Sequence, residues 1–345
     1  MRSANEQDLT TKPELSAILL MVNGFQAIRR TVHHLCAQTA RRQLELVIVT
    51  TRPNARLIDT AALRPLGACQ VLEVDEIPTA ASGWAAGIRV AQAPSVVLCE
   101  DHSFPEPGWA EALINAHRGD WSAVTPAMNN GNPDTKVSWA NFLLCFGEWF
   151  SPTESGPVFS CPGHNTSYKR DILLQYNDKL EDWLNPERVL HFDLLKKGHR
   201  MMLAADAVTN HVNISRAGTY LGHSFHGGRI FGGSRAANWS RARAALYACA
   251  FPLVPFIRLR RLMQQLDTPE KRRKARFWGS LSWICAGLLC HAFGEATGYL
   301  TGAGHSMKHY LNYELRRIEN VIPSEKAIWL TNDETSGQLE EALVH

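Results

Sequence analysis

LCEDHSFPEPGW, residues 98–109, decides how the chain is read. It completes the apolar run Val96-Val97-Leu98-Cys99, which is what a buried parallel strand requires. Glu100, Asp101 and His102 follow at the carboxyl end of that run. Open α/β sheets take their ligands in the crevice outside such ends. Pro105 and Pro107 stop the strand, and Trp109–Leu113 begins a helix. The stretch therefore offers oxygen and nitrogen ligands at a cleft. The plain alternative is a solvated acidic loop.

Working toward the N-terminus, 95–99 is preceded by an Ala-rich helix over 79–92 and a strand over 70–74. Before these come a short helix over 55–66, a strand over 44–49, a helix over 24–39 and a first strand, LSAILLMV, over 15–22. Ile28, Val32, Leu35 and Cys36 share one face of the 24–39 helix. This alternation predicts an α/β fold with a doubly wound, mainly parallel sheet. There is no G-x-G-x-x-G and no Walker loop, which speaks against dehydrogenases and P-loop NTPases.

Working toward the C-terminus, 123–127 reads as a strand and Asn129–Pro133 as a turn. CPGHNTSYKR (161–170) reads as a loop entering a helix at Arg170. Residues 184–197 fit an amphipathic helix capped by Gly198, then 201–203 is a strand and HVNIS begins at His211. From about residue 244 the composition changes. Residues 244–257 and 277–293 are apolar, and Arg258–Arg276 between them holds eight basic and two acidic residues. Spanning a bilayer takes about 20 apolar residues, and Pro252, Pro255, Gly279 and Gly287 interrupt these runs. The pattern favours two helices lying in a membrane interface, with the basic linker facing anionic head groups. Two core helices of a soluble region, or a span over 277–300, are the alternatives. The tail after 320 is polar and reads as mobile, with Ile328-Trp329-Leu330 as its anchor.

With 345 residues and 45% hydrophobic content, the chain can bury a sizeable core; its net charge of +3 excludes little. Nothing points to nucleic acid. Eight scattered cysteines without a C-x-x-C pair signal neither a zinc site nor a disulfide framework. The polar N-terminus lacks a signal-peptide core, so the sequons at Asn165, Asn213 and Asn238 are not expected to be used.

Together, SAILLMVNGFQAIRRTVHHLCAQT, ELVIVTTRP, AAGIRVAQAPSVVLCEDHSFPEPGW, GHNTSYKRDIL and ERVLHFDLLKKGHRMMLAADAVTNH resemble, in that order over about 14–235, the family 2 glycosyltransferases of GT-A fold. The resemblance implies a catalytic domain (14–240); composition adds a flexible N-terminus (1–13), a helical membrane-interface region (241–312) and a tail (313–345). The resemblance also implies an inverting, metal-dependent transfer of a hexosyl or related sugar from a nucleotide-sugar, UDP- or GDP-linked, to a hydroxyl acceptor. The apolar runs and basic linker after 244 suggest the place, the cytoplasmic face of a membrane, held peripherally or in-plane, and with it the lipid-linked or envelope-glycan acceptor.

By the same resemblance, Glu100 and His102 stand at the acidic positions of the D-x-D metal motif, and His211 matches a late histidine that approaches the metal. Mn²⁺ or Mg²⁺ is the expected cofactor, and imidazole tilts the choice to Mn²⁺. The alternatives are that His102 caps a turn and His211 is a packing residue. The implied donor-binding residues are Thr50 and Thr51, where the family usually has acids, with Gly87, Glu100 and Asp101. Trp84 replaces an arginine common in the family, so Arg229 and Arg235 in HGGRIFGGSR are candidates for the phosphate charge; a flexible basic loop is the alternative. His164 and Asn165 would face the acceptor, and Asn129 and Asn132 the same cleft. The general base falls on Glu187, with Asp182 next and Glu181 third. Glu187 would otherwise serve the helix N-terminus. Rival functions are a degenerate transferase fold acting as a membrane-docked scaffold, and a nucleotidyltransferase.

Overall fold

The computed structural model describes residues 12–184 and 187–329, without the side chains of 187 and 188. The chain begins β1 (Leu15–Met21), α1 (Phe25–Cys36), β2 (Leu44–Thr51), α2 (Arg52–Ala55), β3 (Ala68–Val74), α3 (Ala80–Val90) and β4 (Ser95–Cys99). It continues β5 (Ser103–Pro105), α4 (Trp109–His117), β6 (Ala123–Asn130), α5 (Lys136–Phe146), β7 (Gly156–Val158), β8 (Ser167–Lys169), α6 (Arg170–Leu174), α7 (Leu180–Trp183), α8 (Glu187–Lys196) and β9 (Met201–His211). The helical C-terminal part holds α9 (Ala217–Ala236), α10 (Arg241–Cys249), α11 (Val254–Gln265), α12 (Pro269–Lys274), α13 (Phe277–Thr301) and α14 (Ser306–Leu315).

Two compact units share these elements. The first takes in the described residues up to Asp101, Pro105–Pro126 and Ser155–Ala207; the second has His102–Phe104, Ala127–Glu154 and the described residues from Val208 on. In the first, the strand order is β3-β2-β1-β4-β8-β6-β9, with β7 added to β9. β3, β2, β1 and β4 are parallel, while β8 is antiparallel to both its neighbours. β1, β2 and β4 are buried along almost their whole length, as strands covered on both faces must be. Ile28, Val32 and Leu35 of α1, Trp109 and Leu113 of α4, and Leu19 and Ile48 of the sheet share one apolar core.

The structure corrects several sequence expectations. Residues 56–67 are turns rather than a helix: α2 ends at Ala55, and Ile58, Ala62, Leu63 and Leu66 reach the core from successive turns. The 161–170 loop contains β8, three residues too short to show alternation. The strand expected over 201–203 runs on to His211, and the turn at 129–133 starts later because β6 reaches Asn130. HGGRIFGGSR, for which a flexible basic loop is the alternative, lies in the C-terminal half of helix α9. Gly198 ends α8 as expected, at φ +83°.

In the second unit α9 and α13 cross at glycines. A methyl group on Gly228 would overlap the His291 carbonyl, one on Gly232 the Glu295 carbonyl, and one on Gly294 the Phe225 carbonyl. Small residues four apart on each helix let the backbones touch. The expected mobile tail is instead packed through residue 329: Val321 and Trp329 are buried with Phe104 and Val212. Leu330 lies outside the described residues.

Candidate active site

In the first unit, β4 delivers Glu100 at its carboxyl end, where the parallel strands β1 and β4 stop pairing at Leu19 and Cys99. The carboxylate is buried. One of its oxygens meets Nδ1 of His164 at 2.8 Å, and the other accepts from Nδ2 of Asn165 at 2.8 Å. Asn165 takes φ +62°, a left-handed conformation that its short polar side chain tolerates. Its backbone N–H donates to the Leu98 carbonyl at 2.7 Å, which brings the amide back onto Glu100. Trp84 is buried, its ring edge-on to His164 at 5.0 Å between centroids. Its indole N–H donates to the Cys99 carbonyl at 3.4 Å. Burial, reinforced by the Glu100 charge, pushes the Cys99 thiol up and keeps it protonated.

In the second unit, β9 ends at His211. The His102 and His211 rings stand edge to face, 4.9 Å apart, and both are buried. The Val212 N–H donates to the His102 carbonyl at 2.9 Å, joining the two segments by backbone as well. Phe146 lies 4.4 Å from the His211 ring, and Nδ1 of His211 faces Oδ1 of Asn213 at 3.0 Å. His102 and His211 thus bring two buried imidazoles together within this unit. Imidazole suits a borderline divalent cation better than a hard one.

The other sequence candidates take a range of environments. Thr50 is buried and donates to the Met21 carbonyl at 2.7 Å, so it ties β2 to β1. Thr51, at the end of β2, is half-buried, as is Asp101. Gly87 sits inside α3, where an added methyl would strike Ile18, so the structure gives it a packing role. Arg229 donates to the Gly302 carbonyl at 3.1 Å, and Arg235 to the Tyr299 hydroxyl at 3.1 Å. Both arginines thus serve the contact between α9 and the end of α13. Glu187 begins α8, but its side chain lies outside the described residues. Asp182 is exposed, and Glu181 accepts from the Thr79 hydroxyl at 3.3 Å.

Sequence reasoning missed a buried amide network beside His211, built from Asn130, Asn132, Ser138, Asn213, Ser215 and Glu325. The signal was there: two Asn one residue apart at 130 and 132, and His-x-Asn at 211–213, inside apolar surroundings. Turn chemistry and a sequon were the more familiar readings of those asparagines.

No family model matches the chain, and no curated protein matches it. Among solved structures, S. aureus TarS superposes with a TM-score of 0.41 at 16% identity, covering 60% of this chain and 38% of that one. Residues 1–349 of S. aureus TarS, in complex with UDP, superpose with a TM-score of 0.43 at 15% identity, covering 60% and 62%. The chain thus spans less than two thirds of either structure's length.

Proposed function

We propose that this protein is a nucleotide-sugar glycosyltransferase of GT-A type, inverting and metal-dependent. The observation that carries the reading is the buried Glu100 carboxylate, fixed by His164 and Asn165 at the carboxyl end of β4. A carboxylate so placed is where this class of sheet meets a ligand. Glu100, His102 and His211 would hold the cation, Mn²⁺ in preference to Mg²⁺. When bound, it offsets the charge that grows on the departing diphosphate. Thr51 and Asp101 are the remaining donor-side candidates. His164 and Asn165 hold Glu100 in place from the acceptor side. Glu187, or failing it Asp182, takes the proton of the attacking hydroxyl.

The acceptor is proposed to be lipid-linked or a surface glycan, met at the cytoplasmic face of a membrane. Leu253, Phe256 and Ile257 are exposed on or beside α11, which also carries Arg260 and Arg261 on its surface. α13 is long and apolar enough to cross a bilayer, and Trp278, Leu289, Phe293 and Leu300 are exposed along it. These faces support in-plane docking on anionic lipid.

Melting curves of the full chain with UDP, GDP and their sugar conjugates, each with and without Mn²⁺, test the reading. One donor should raise the melting temperature only when the metal is present. Nucleotide binding indifferent to metal, or none at all, would favour the scaffold alternative. Glu187→Gln should abolish transfer and leave the metal-dependent shift intact. Sedimentation with anionic vesicles should lose the protein on Phe256→Glu with Ile257→Glu.

A further inference from the structure

The amide network beside His211 has a direction. Nδ2 of Asn213 donates to Oδ1 of Asn130 at 2.9 Å and to the His211 carbonyl at 2.8 Å. Two acceptors therefore fix which end of that amide is nitrogen. Its Oδ1 is the atom left facing Nδ1 of His211, at 3.0 Å. A carbonyl oxygen only accepts, so Nδ1 must carry the hydrogen, and in the neutral ring the lone pair lies on Nε2.

The chain of constraint continues outward. Oδ1 of Asn132 accepts from the Asn213 backbone N–H at 2.7 Å and from the Ser138 hydroxyl at 2.9 Å. Nδ2 of Asn132 donates to the Asn213 carbonyl at 2.9 Å and to Oε2 of Glu325 at 2.8 Å. The same Glu325 oxygen accepts from the Ser215 hydroxyl at 2.5 Å. Glu325 is buried, in the helical turn Pro323–Trp329. A carboxylate cannot donate while ionised, so Glu325 keeps the Asn132 nitrogen turned toward it. Asn132 in turn grips the backbone of Asn213, whose side-chain amide is oriented by Asn130 and the His211 carbonyl.

We propose that Asn213, its amide oriented by Asn130 and the His211 carbonyl and its backbone anchored through Asn132 by Glu325, holds His211 in the Nδ1–H tautomer, so that Nε2 is its metal-binding nitrogen. Asn213 and Glu325 are positioning residues, and the inference rests on the metal reading above. Outer partners of ligand histidines set ring orientation and basicity, and losing one costs roughly 10- to 100-fold in metal affinity.

Long-range ¹⁵N NMR of the imidazoles in the metal-free, unmutated protein reads the tautomer directly, with His211→Gln assigning the signal. The expected pattern is a protonated Nδ1 and a bare Nε2. Calorimetric titration with Mn²⁺ then ranks the variants. Asn213→Ala should weaken binding roughly 10- to 100-fold, and Asn213→Asp, which still accepts from Nδ1–H, should restore most of it. Glu325→Leu should weaken binding and Glu325→Gln should not. An Nε2–H tautomer overturns the inference. So does wild-type affinity in Asn213→Ala while His211→Ala has lost binding, and that result leaves the metal reading standing. Undiminished Mn²⁺ binding in His211→Ala ends both.

Discussion

Helix α3 in the first unit and helix α13 in the second both pack through glycines, but against different things. Gly83 of α3 faces the end of the Leu20 side chain, where an added methyl would lie 2.7 Å from Cδ2. Gly294 of α13 faces the Phe225 carbonyl and the Arg229 backbone nitrogen. A side-chain tip can swing aside; a helix backbone cannot move without breaking its neighbours' hydrogen bonds. The first unit is therefore a side-chain core with local slack. The second is set by backbone contact and directional amides, and has little.

The largest predicted effect tests that contrast. Gly294→Ala should cost at least about 3 kcal/mol, since overpacking against backbone lies at the severe end of its usual range. Gly83→Ala should stay within about 1 kcal/mol, because alanine's better helix propensity offsets the displaced Leu20 methyls. Hydrogen exchange reads the two units separately. Gly294→Ala should strip protection from α9 and α13 and leave β1 and β2 untouched. Equal losses from the two substitutions would erase the distinction.

Acid should also separate the units, with opposite signs. In the first, desolvation lowers His117 to about 4, helped by the Lys169 charge, and its ring meets the Ser167 hydroxyl at 2.8 Å. Its folded pKa lies below the unfolded value near 6.5, so the unfolded chain binds the extra proton. Its contribution is present above pH 6.5 and is lost as pH falls toward 4, a swing of roughly 3 kcal/mol. In the second unit, burial raises Glu325 above its ordinary value, against the opposing hydrogen bonds from Ser215 and Asn132. The folded state then holds the proton more tightly. That contribution is full below the ordinary carboxylate pKa and is lost as pH rises through the folded value. Exchange protection measured from pH 7 down to 4 should fall in α4 and β8 but not around 211–215. His117→Gln should flatten only the first unit's profile.

The same contrast explains what could be read from the sequence. LSAILLMV and ELVIV became β1 and β2 because burial on both faces demands unbroken apolar runs, and such runs are visible in composition. LCEDH placed an acid at the end of β4 for the same reason. HGGRIFGGSR leaves a loop open as an alternative because glycine is the common signal of one, whereas here it permits helix contact, a property of the partner and not of the segment. Asn132, Asn213 and Glu325 lie 81 and 112 residues apart in turn, so no local pattern joins them. His164 was expected to face an acceptor; its contact with Glu100 depends on the left-handed turn at Asn165, which the residue type allows but does not require.

The smallest predicted effect asks whether any local rule is shared by the two units. Thr79 caps α3 by accepting from the Ser82 N–H at 3.0 Å, and Thr135 caps α5 by accepting from the Ser138 N–H at 3.1 Å. Each is threonine followed three residues later by serine. Thr79→Ala and Thr135→Ala should each cost about 1 kcal/mol if the cap alone is lost. They differ in what the serine does next. Ser82 returns its hydroxyl to the Thr79 carbonyl at 2.7 Å, whereas Ser138 gives its hydroxyl to Asn130 and Asn132. Loosening the first turn of α5 should therefore reach the amide network, and Thr135→Ala should lower Mn²⁺ affinity as well as stability. Thr79→Ala should lower stability alone. Identical metal binding in the two variants would show that the network holds His211 without help from α5.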